Sequence, residues 1–215
     1  MIFFAASAIL RHVRVQPSPM GPDREVVDYR DSAEDPLNGH GDPRQVTGNT
    51  WSAPPASWSE VPFVGEAYSG YTRPGAPAGP FVVADGSSWL FAGTGLHDGS
   101  TVPGAVLTDF DQFSPGSSPA NLQILGHSPV PPKDAQTQRS RPYADTTYYT
   151  DPSSGAGVFD SGLNSWIPDL DPCSPGAACP AGAFGQMTAN LLALFGKGPA
   201  GRSQPSSPNW RAVYG

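Results

Sequence analysis

Positive charge is scarce in this sequence, and the scarcity excludes some classes of protein. Lysine occurs only at Lys133 and Lys197, and Lys and Arg together number 12 against 19 Asp and Glu, for a net charge of −7. No segment carries the cluster of basic side chains that a phosphate backbone requires, so a nucleic-acid-binding function is excluded. No apolar run reaches the length of about 18 residues at which a membrane-spanning helix is predicted.

Cysteine is also rare. Cys173 and Cys179 are the two cysteines, and five residues of a Pro/Gly/Ala-rich loop separate them. A metal site would need third and fourth ligands, so the spacing favours a short disulfide loop over two free thiols. A disulfide would imply an oxidising compartment. We therefore predict an extracellular or exported protein, with a cytoplasmic location as the alternative.

Glycine, proline and aromatic residues are abundant. The 25 Gly and 26 Pro approach the fraction that is typical of disordered chains. Ten Phe, seven Tyr and five Trp argue for a packed core, because disordered chains carry few aromatic residues. These numbers predict a globular chain with long irregular connections.

The stretch from Phe81 to Phe113 is the densest candidate for the core. Its apolar runs at 81–84, 89–92 and 105–107 are short, rich in β-branched and aromatic residues and bounded by Gly, Asp and Ser, which predicts three strands. Asp85-Gly86 is predicted to form a tight hairpin with a positive φ. Gly93-Thr94-Gly95 lacks the further residues of a nucleotide-binding loop, so a bent connection is the better interpretation.

The rest of the chain predicts more strands and one helix. An amphipathic helix is predicted from Phe184 to Phe195, with Gly196 in the C′ position. No regular structure is predicted for 31–80, and an exposed connection is predicted for 128–142. The predicted strands are 2–4, 9–15, 25–29, 122–127, 146–150 and 158–162, of which the last two form a hairpin.

Several polar residues are candidates for chemistry. His97-Asp98 is an acid–base pair in one interpretation and a solvated turn in the more ordinary one. Carboxylates set among Trp and Pro can acquire the raised pKa of a general acid or base, although most such side chains are simply exposed. The carboxylates in question are Glu34, Asp35, Glu60 and Glu66.

The order of several motifs resembles a known family. FFAASAILRHVRVQPSPMGPDREVVDY, AEDPL, a Trp-containing loop, SSWLFAGTGLHDGSTVPGAVLTDFD, ILGHSPV and DTTYYTDPSSGAGVFDSGLNSW follow one another, and an amphipathic helix comes last. This order resembles the C-terminal domain of the N,N-dimethylformamidase large (β) subunit family, from residue 3 to about 196. The WLFAGTGL–DG–PG and TYY–SGAGVF–G–W runs are its specific parts.

The resemblance implies a fold and an activity. The fold expected is an α/β, glutamine-amidotransferase-like domain, incomplete at its N-terminus, with a β-rich, loop-rich insertion. It would span residues 1–197, before a Pro/Ser-rich tail at 198–215. Family members hydrolyse the C–N bond of N,N-dimethylformamide with an iron held by tyrosine and glutamate side chains. Those ligands would lie upstream of residue 1, so the resemblance implies no cofactor in this chain and iron in a full-length protein.

Two departures from the family pattern bear on the site. Ser7 stands where the family typically has an Asn, and Ser59-Glu60 stands where it has Pro-Glu. Glu60 is therefore the candidate catalytic carboxylate. The expectation is a C-terminal fragment of a metal-dependent amide hydrolase that acts on a small amide, is inactive alone and needs the missing N-terminal portion or a partner chain.

A second hypothesis is a non-catalytic module. In a secreted multidomain protein, exposed aromatic side chains would bind a carbohydrate or a protein. The candidates are Trp51, Trp58, Tyr68 and Tyr71.

Overall fold

The computed structural model describes residues 1–172 and 179–215. It is a mixed α/β structure with several small sheets and few helices, which confirms the predicted class. Two compact units are present, one formed by residues 1–8 and 61–215 and the other by residues 9–60. We call them the main unit and the 9–60 unit. No helix of the described residues is long and apolar enough to cross a membrane.

The described strands and helices follow in chain order. The strands are β1 (Ile2–Phe3), β2 (Arg14–Ser18), β3 (Gly21–Val27), β4 (Glu66–Thr72), β5 (Gly79–Val82), β6 (Thr101–Val106), β7 (Asp109–Phe113), β8 (Gln123–Pro129), β9 (Ala135–Thr137), β10 (Tyr143–Thr150) and β11 (Gly157–Asp160). The α-helices are α1 (Val61–Val64), α2 (Ala181–Phe195), α3 (Ala200–Ser203) and α4 (Trp210–Tyr214).

A four-stranded sheet in the order β1-β11-β10-β8 forms the centre of the main unit. β10 pairs with β11 in antiparallel register, with Tyr148 opposite Phe159, which confirms the predicted hairpin. β8 confirms the strand predicted near 122–127 and pairs with the other edge of β10. Most of β10 is buried on both faces, so polar side chains that belong to this strand end up inside the unit.

An aromatic core packs around Trp166, which is fully buried. Its ring centroid lies 4.6 Å from that of Phe184 and 5.5 Å from that of Phe159. Phe184 belongs to α2, which also buries Met187 and Leu191 and confirms the predicted helix. Such contacts between aromatic rings contribute beyond the area they bury.

The predicted C′ position of Gly196 is wrong, because Gly196 is the C-cap residue of α2. Gly196 follows α2 with φ −70°, a right-handed conformation, and its N–H donates to the carbonyl of Leu192 at 2.9 Å. The helix therefore ends without a left-handed glycine.

The predicted strand at 89–92 is also wrong, because Trp89–Phe91 is a 3-10 helix. Ser88 caps it by accepting a hydrogen bond from the Leu90 N–H at 3.3 Å. Leu90 and Phe91 are both buried although they are adjacent. A strand would send adjacent side chains to opposite faces, whereas a helical turn brings both to the core.

Asp85-Gly86 is not the predicted positive-φ hairpin, because Gly86 does not have a positive φ. A Cβ at this position would lie 2.5 Å from the Cα of His97. Gly86 is therefore required for close approach of two backbone segments, and its N–H donates to Asp98 Oδ1 at 2.6 Å.

Two regions predicted to be irregular contain strands. β4 lies within 31–80 and β9 within 128–142, and with β7 they form a sheet in the order β7-β4-β9. The register of β4 shifts between Tyr68 and Gly70. A Cβ at Gly70 would lie 2.4 Å from the carbonyl oxygen of Gln136. This internal glycine, needed for strand approach, hid the alternating pattern from sequence reasoning.

The tail packs on the central sheet. The side chain of Asn209 forms two hydrogen bonds with the backbone of Ile124, accepting at 2.7 Å and donating at 2.8 Å. Trp210 stacks on Phe113 with ring centroids 5.4 Å apart. Residues 209–214 are thus packed against the strands of the main unit.

The 9–60 unit contains the antiparallel pair β2–β3. β2 begins at Arg14, so the strand predicted from Ile9 is wrong over most of its length. Asp35, which is buried, accepts hydrogen bonds from Arg14 at 2.8 Å and from the backbone and side chain of Thr47 at 2.8 and 2.9 Å. Burial alone would raise the pKa of Asp35, but these hydrogen bonds and one from the Leu37 N–H lower it.

Candidate functional site

A histidine–carboxylate pair forms where β8 and β10 run side by side. His127 and Asp145 are register partners in the two antiparallel strands, so their side chains are direct neighbours. The distance between His127 Nδ1 and Asp145 Oδ1 is 2.6 Å. Asp145 is fully buried and also accepts hydrogen bonds from the Phe113 N–H at 2.9 Å and the Tyr214 hydroxyl at 2.5 Å. Asp145 therefore orients the imidazole ring.

Two tyrosine rings pack against the imidazole ring of His127. Tyr143 stacks on His127 with ring centroids 3.8 Å apart, and Tyr214 meets it edge-on at 4.8 Å. About 15% of the His127 side chain stays exposed. In the neutral ring, an Nδ1–H that donates to a carboxylate leaves the lone pair on Nε2. Nε2 is therefore the atom free to accept a proton.

His127 lines a cavity of about 240 Å³, which we call the histidine pocket. Arg139, Arg141, Tyr143 and Tyr214 also line it. Among the described residues, neither guanidinium group has a hydrogen-bond or ion-pair partner. Because guanidinium groups are always charged, the pocket offers positive charge to an oxygen that becomes negative.

A larger cavity of about 520 Å³ adjoins the histidine pocket, and we call it the proline cavity. Its walls are mostly apolar and rich in proline. Ser140, Arg141 and Tyr143 line both cavities. The two spaces therefore meet at these three residues.

Buried carboxyl groups lie in the same region of the main unit. Glu66 and Asp160 are fully buried, and burial raises the pKa of each well above its usual range. Nearby negative charges add to the effect, from Asp160, Asp145 and Asp111 on Glu66 and from Asp111 on Asp160. The folded protein thus favours the protonated form of these two groups.

One oxygen of each of these two carboxyl groups has no hydrogen-bond partner among the described residues. Glu66 Oε1 accepts from the Thr147 hydroxyl at 2.6 Å and Asp160 Oδ1 from the Gly162 N–H at 3.1 Å, whereas Glu66 Oε2 and Asp160 Oδ2 are unpartnered. Gly162 has φ +60°, and a Cβ there would lie 1.9 Å from the carbonyl oxygen of Asp145. The glycine is thus required beside these carboxyl groups, and we call Glu66, Asp111, Asp145 and Asp160 the acidic cluster.

The predicted residue Ser7 lies at this cluster through its backbone. Ser7 has φ +56°, and its N–H donates to both carboxylate oxygens of Asp111, at 3.0 and 2.9 Å. The turn after β1 therefore contributes a backbone donor at the position where the resemblance led us to expect an amide side chain.

Glu60 and the two cysteines stay predictions. Glu60 is half-buried and belongs to the 9–60 unit, and nothing in its surroundings tests a catalytic role. Cys173 lies outside the described residues, so its pairing with Cys179 is not described. Among the residues described, no three His, Cys, Asp or Glu side chains are placed to hold a metal ion.

His97-Asp98 forms a turn. The imidazole Nδ1 contacts the Ser100 hydroxyl and Asp98 accepts from Gly86, so both side chains serve local backbone geometry. Neither His127 nor Asp145 was among the candidate residues that the sequence singled out. Only the strand register brings these two residues together, since 18 positions separate them.

A carboxylate-oriented histidine beside arginine side chains is an arrangement that can support acid–base chemistry. Residues 1–180 match the family model described as N,N-dimethylformamidase beta subunit-like, C-terminal, and the chain belongs to this family. No curated protein matches the chain.

Proposed function

We propose that the chain is the C-terminal part of a dimethylformamidase-like hydrolase of amide C–N bonds, and that the histidine pocket belongs to its active site. The observation that carries this proposal is the 2.6 Å contact between His127 Nδ1 and the buried Asp145. It leaves Nε2 as the basic atom at a cavity lined by two arginines. The family description supports the reaction class.

The proposed reaction is general acid–base hydrolysis. His127 Nε2 takes a proton from a water molecule as the water oxygen bonds to the amide carbon. Arg141 and Arg139 stabilise the negative charge that develops on the carbonyl oxygen. The imidazolium then returns the proton to the nitrogen as the C–N bond breaks, which releases an amine and a carboxylic acid. Asp145 stabilises the imidazolium between the two steps.

The family resemblance implies an iron held by tyrosine and glutamate side chains upstream of residue 1. The described residues contain no group of three His, Cys, Asp or Glu side chains that could hold a metal ion. We therefore derive no step through iron, and we propose that its ligands come from other polypeptide, either more of the same protein or a partner subunit. On this proposal the chain is inactive alone, and the glutamine-amidotransferase-like fold belongs to the completed domain. Glu60, in the 9–60 unit, stays a separate candidate for a catalytic carboxylate. Export and the Cys173–Cys179 disulfide belong to the same proposal.

The test is to isolate the protein from its source with any polypeptides that stay associated, and to measure hydrolysis of N,N-dimethylformamide and iron content. We expect turnover and iron in this preparation and no turnover by the 215-residue chain alone. In the same assembly, His127→Gln should lower kcat by about 100-fold or more with unchanged iron content.

The matched control is His97→Gln, which changes a histidine in an exposed turn and should leave kcat unchanged. Full activity in the His127→Gln assembly would remove the histidine pocket from the mechanism. Turnover by the isolated chain would remove the requirement for other polypeptide.

A second function, carbohydrate binding, is favoured by one observation in the 9–60 unit. Trp51 and Trp58 are stacked with ring centroids 5.5 Å apart and an interplanar angle of 12°, and Trp58 is 61% exposed. An exposed indole face of this kind suits a sugar ring. Retention on a glycan column that Trp58→Ala abolishes, in a preparation without iron, would favour this function over hydrolysis.

A further inference from the structure

We propose that the proline cavity binds the apolar substituent of the amide substrate, so that the site prefers amides that carry a ring-sized apolar group. This inference rests on the proposed function and specifies its substrate class. At about 520 Å³ the proline cavity has more than twice the volume of the histidine pocket, at about 240 Å³. Its volume lies within the range of sites that enclose small organic ligands.

The position of the proline cavity links it to the chemistry. Arg141 and Tyr143 line both spaces, and Tyr143 also stacks on the imidazole of His127. A ligand whose carbonyl lies near His127 and Arg141 has the proline cavity directly beside it. A substrate as small as N,N-dimethylformamide would leave most of that space to water.

The lining favours an apolar group. Most of the wall consists of proline and valine side chains, which offer no hydrogen bonds to water. They include Val106, Pro129, Val130, Pro131, Pro132 and Pro142. Displacing water from such a surface by an apolar ring is favourable.

The wall is also rigid in its local structure. The Val130 N–H donates to the carbonyl of Pro142 at 3.0 Å and the Asp134 N–H to that of Pro131 at 2.8 Å. Proline fixes its own φ, so these turns have little conformational freedom to lose when a ligand binds.

The charges of the lining favour a neutral ligand. Arg141 and Asp134 both line the proline cavity and carry opposite charges. A carboxylate ligand would be attracted by one and repelled by the other. A neutral amide with a phenyl group avoids the repulsion by Asp134, so an aryl-substituted amide is the class that fits best.

The test is equilibrium binding of formanilide and N,N-dimethylformamide to the full chain by calorimetry. We expect formanilide to bind at least tenfold more tightly. Ala78, an exposed residue of the lining, offers the variant: Ala78→Trp should fill the space and weaken formanilide binding at least tenfold without affecting N,N-dimethylformamide. Pro132→Trp, at another exposed lining position, should do the same and guards against misfolding of one variant.

Leu192→Trp is the control, since it adds the same side chain at an exposed position of α2 outside both cavities and should change neither affinity. Equal affinity for the two amides, or insensitivity of formanilide binding to both lining variants, would overturn the inference. Because binding requires no turnover, that result leaves the proposed function standing if the assembly still hydrolyses N,N-dimethylformamide. A different result would refute the proposed function, namely full turnover by the His127→Gln assembly. Even if formanilide still bound selectively, the proline cavity could then no longer be assigned to the substrate of that reaction.

Discussion

The main unit and the 9–60 unit are stabilised in different ways. The main unit buries large apolar side chains, among them Trp166, Phe81, Phe159 and Phe184, all fully enclosed. Within residues 9–60, all of which the structure describes, the buried apolar side chains are Val46 and Ala56, and the other buried residues are polar. Hydrophobic burial is the dominant stabilising term in folding. It therefore contributes much more to the main unit than to the 9–60 unit.

The 9–60 unit instead has a buried carboxylate at the centre of a hydrogen-bond network. Asp35 accepts hydrogen bonds from Arg14, Leu37 and Thr47, which lie far apart in the chain. Such a hydrogen-bond network stabilises the fold only while every member is present. If a partner is removed, the buried carboxylate is left without compensation, which is costly in free energy. Single polar substitutions should therefore damage the 9–60 unit, whereas single apolar truncations should damage the main unit.

The largest effect should come from truncating the aromatic core. Trp166→Ala removes a fully buried indole that contacts the rings of Phe159 and Phe184, and should lower the free energy of unfolding by about 4 kcal/mol. Urea denaturation of the variant checks this value. Trp58→Ala truncates the same residue type at a 61% exposed position and should cost no more than about 0.5 kcal/mol. Equal losses in both variants would contradict the contrast between the units.

The next effect should be confined to the 9–60 unit. Arg14→Ala leaves the buried Asp35 carboxylate without its cation and should lower the local free energy of unfolding by about 3 kcal/mol. Hydrogen exchange of amides in residues 9–60 measures this loss, and amides of β10 should be unaffected. Arg11→Ala, which breaks an ion pair whose side chains are 45% and 40% exposed, should change exchange by less than about 1 kcal/mol. Equal acceleration in both variants would argue against the special role of the buried pair.

A pH-dependent effect should distinguish the acidic cluster of the main unit. Because the pKa of Glu66 is raised on folding, its contribution is fully present below the unfolded pKa near 4.3 and is lost as pH rises toward the folded pKa. Glu66→Gln should therefore flatten the fall in unfolding free energy above about pH 4, by at most about 1.4 kcal/mol per pH unit.

The measurement is a set of denaturation curves between pH 4 and pH 8 for both proteins. Glu34→Gln, at an exposed carboxylate of the 9–60 unit, should leave the slope unchanged. A Glu66→Gln slope identical to that of the parent protein would show that Glu66 is ionised in the folded state.

The smallest effect concerns the contact between the tail and the sheet. Tyr214→Phe removes the hydroxyl that donates to Asp145, while Asp145 keeps the Phe113 N–H and His127 as partners, so the loss should be about 1 kcal/mol. Thermal denaturation is sensitive enough to detect it. Tyr71→Phe, at a 41% exposed position, should be neutral. A neutral Tyr214→Phe would mean that water replaces the hydroxyl at no cost.

Local patterns predicted part of this structure well. The hairpin of β10 and β11 and the helix α2 were predicted because alternation and helical spacing are visible within a few residues. Trp89–Phe91 was predicted as a strand, since three apolar residues in a row do not distinguish a strand from a buried helical turn. β4 escaped prediction because Gly70 interrupts its pattern.

The candidate site shows the same division. Glu66 was among the acidic residues singled out from sequence, because a carboxylate among aromatic residues invites a raised pKa. His127 and Asp145 were not paired, because a contact across two strands depends on register, and a shift of one residue would turn one side chain to the opposite face.

The sequence by itself determined the family, the mixed α/β class and the excess of acidic over basic residues, because these follow from motif order and composition. The tertiary structure alone decided which polar side chains meet. Strand pairing placed His127 on Asp145, and docking of the tail brought Tyr214 to the same carboxylate from 69 positions away. Contacts at such separations carry no local signal, since they exist only once the sheet has formed and the chain has folded back on it.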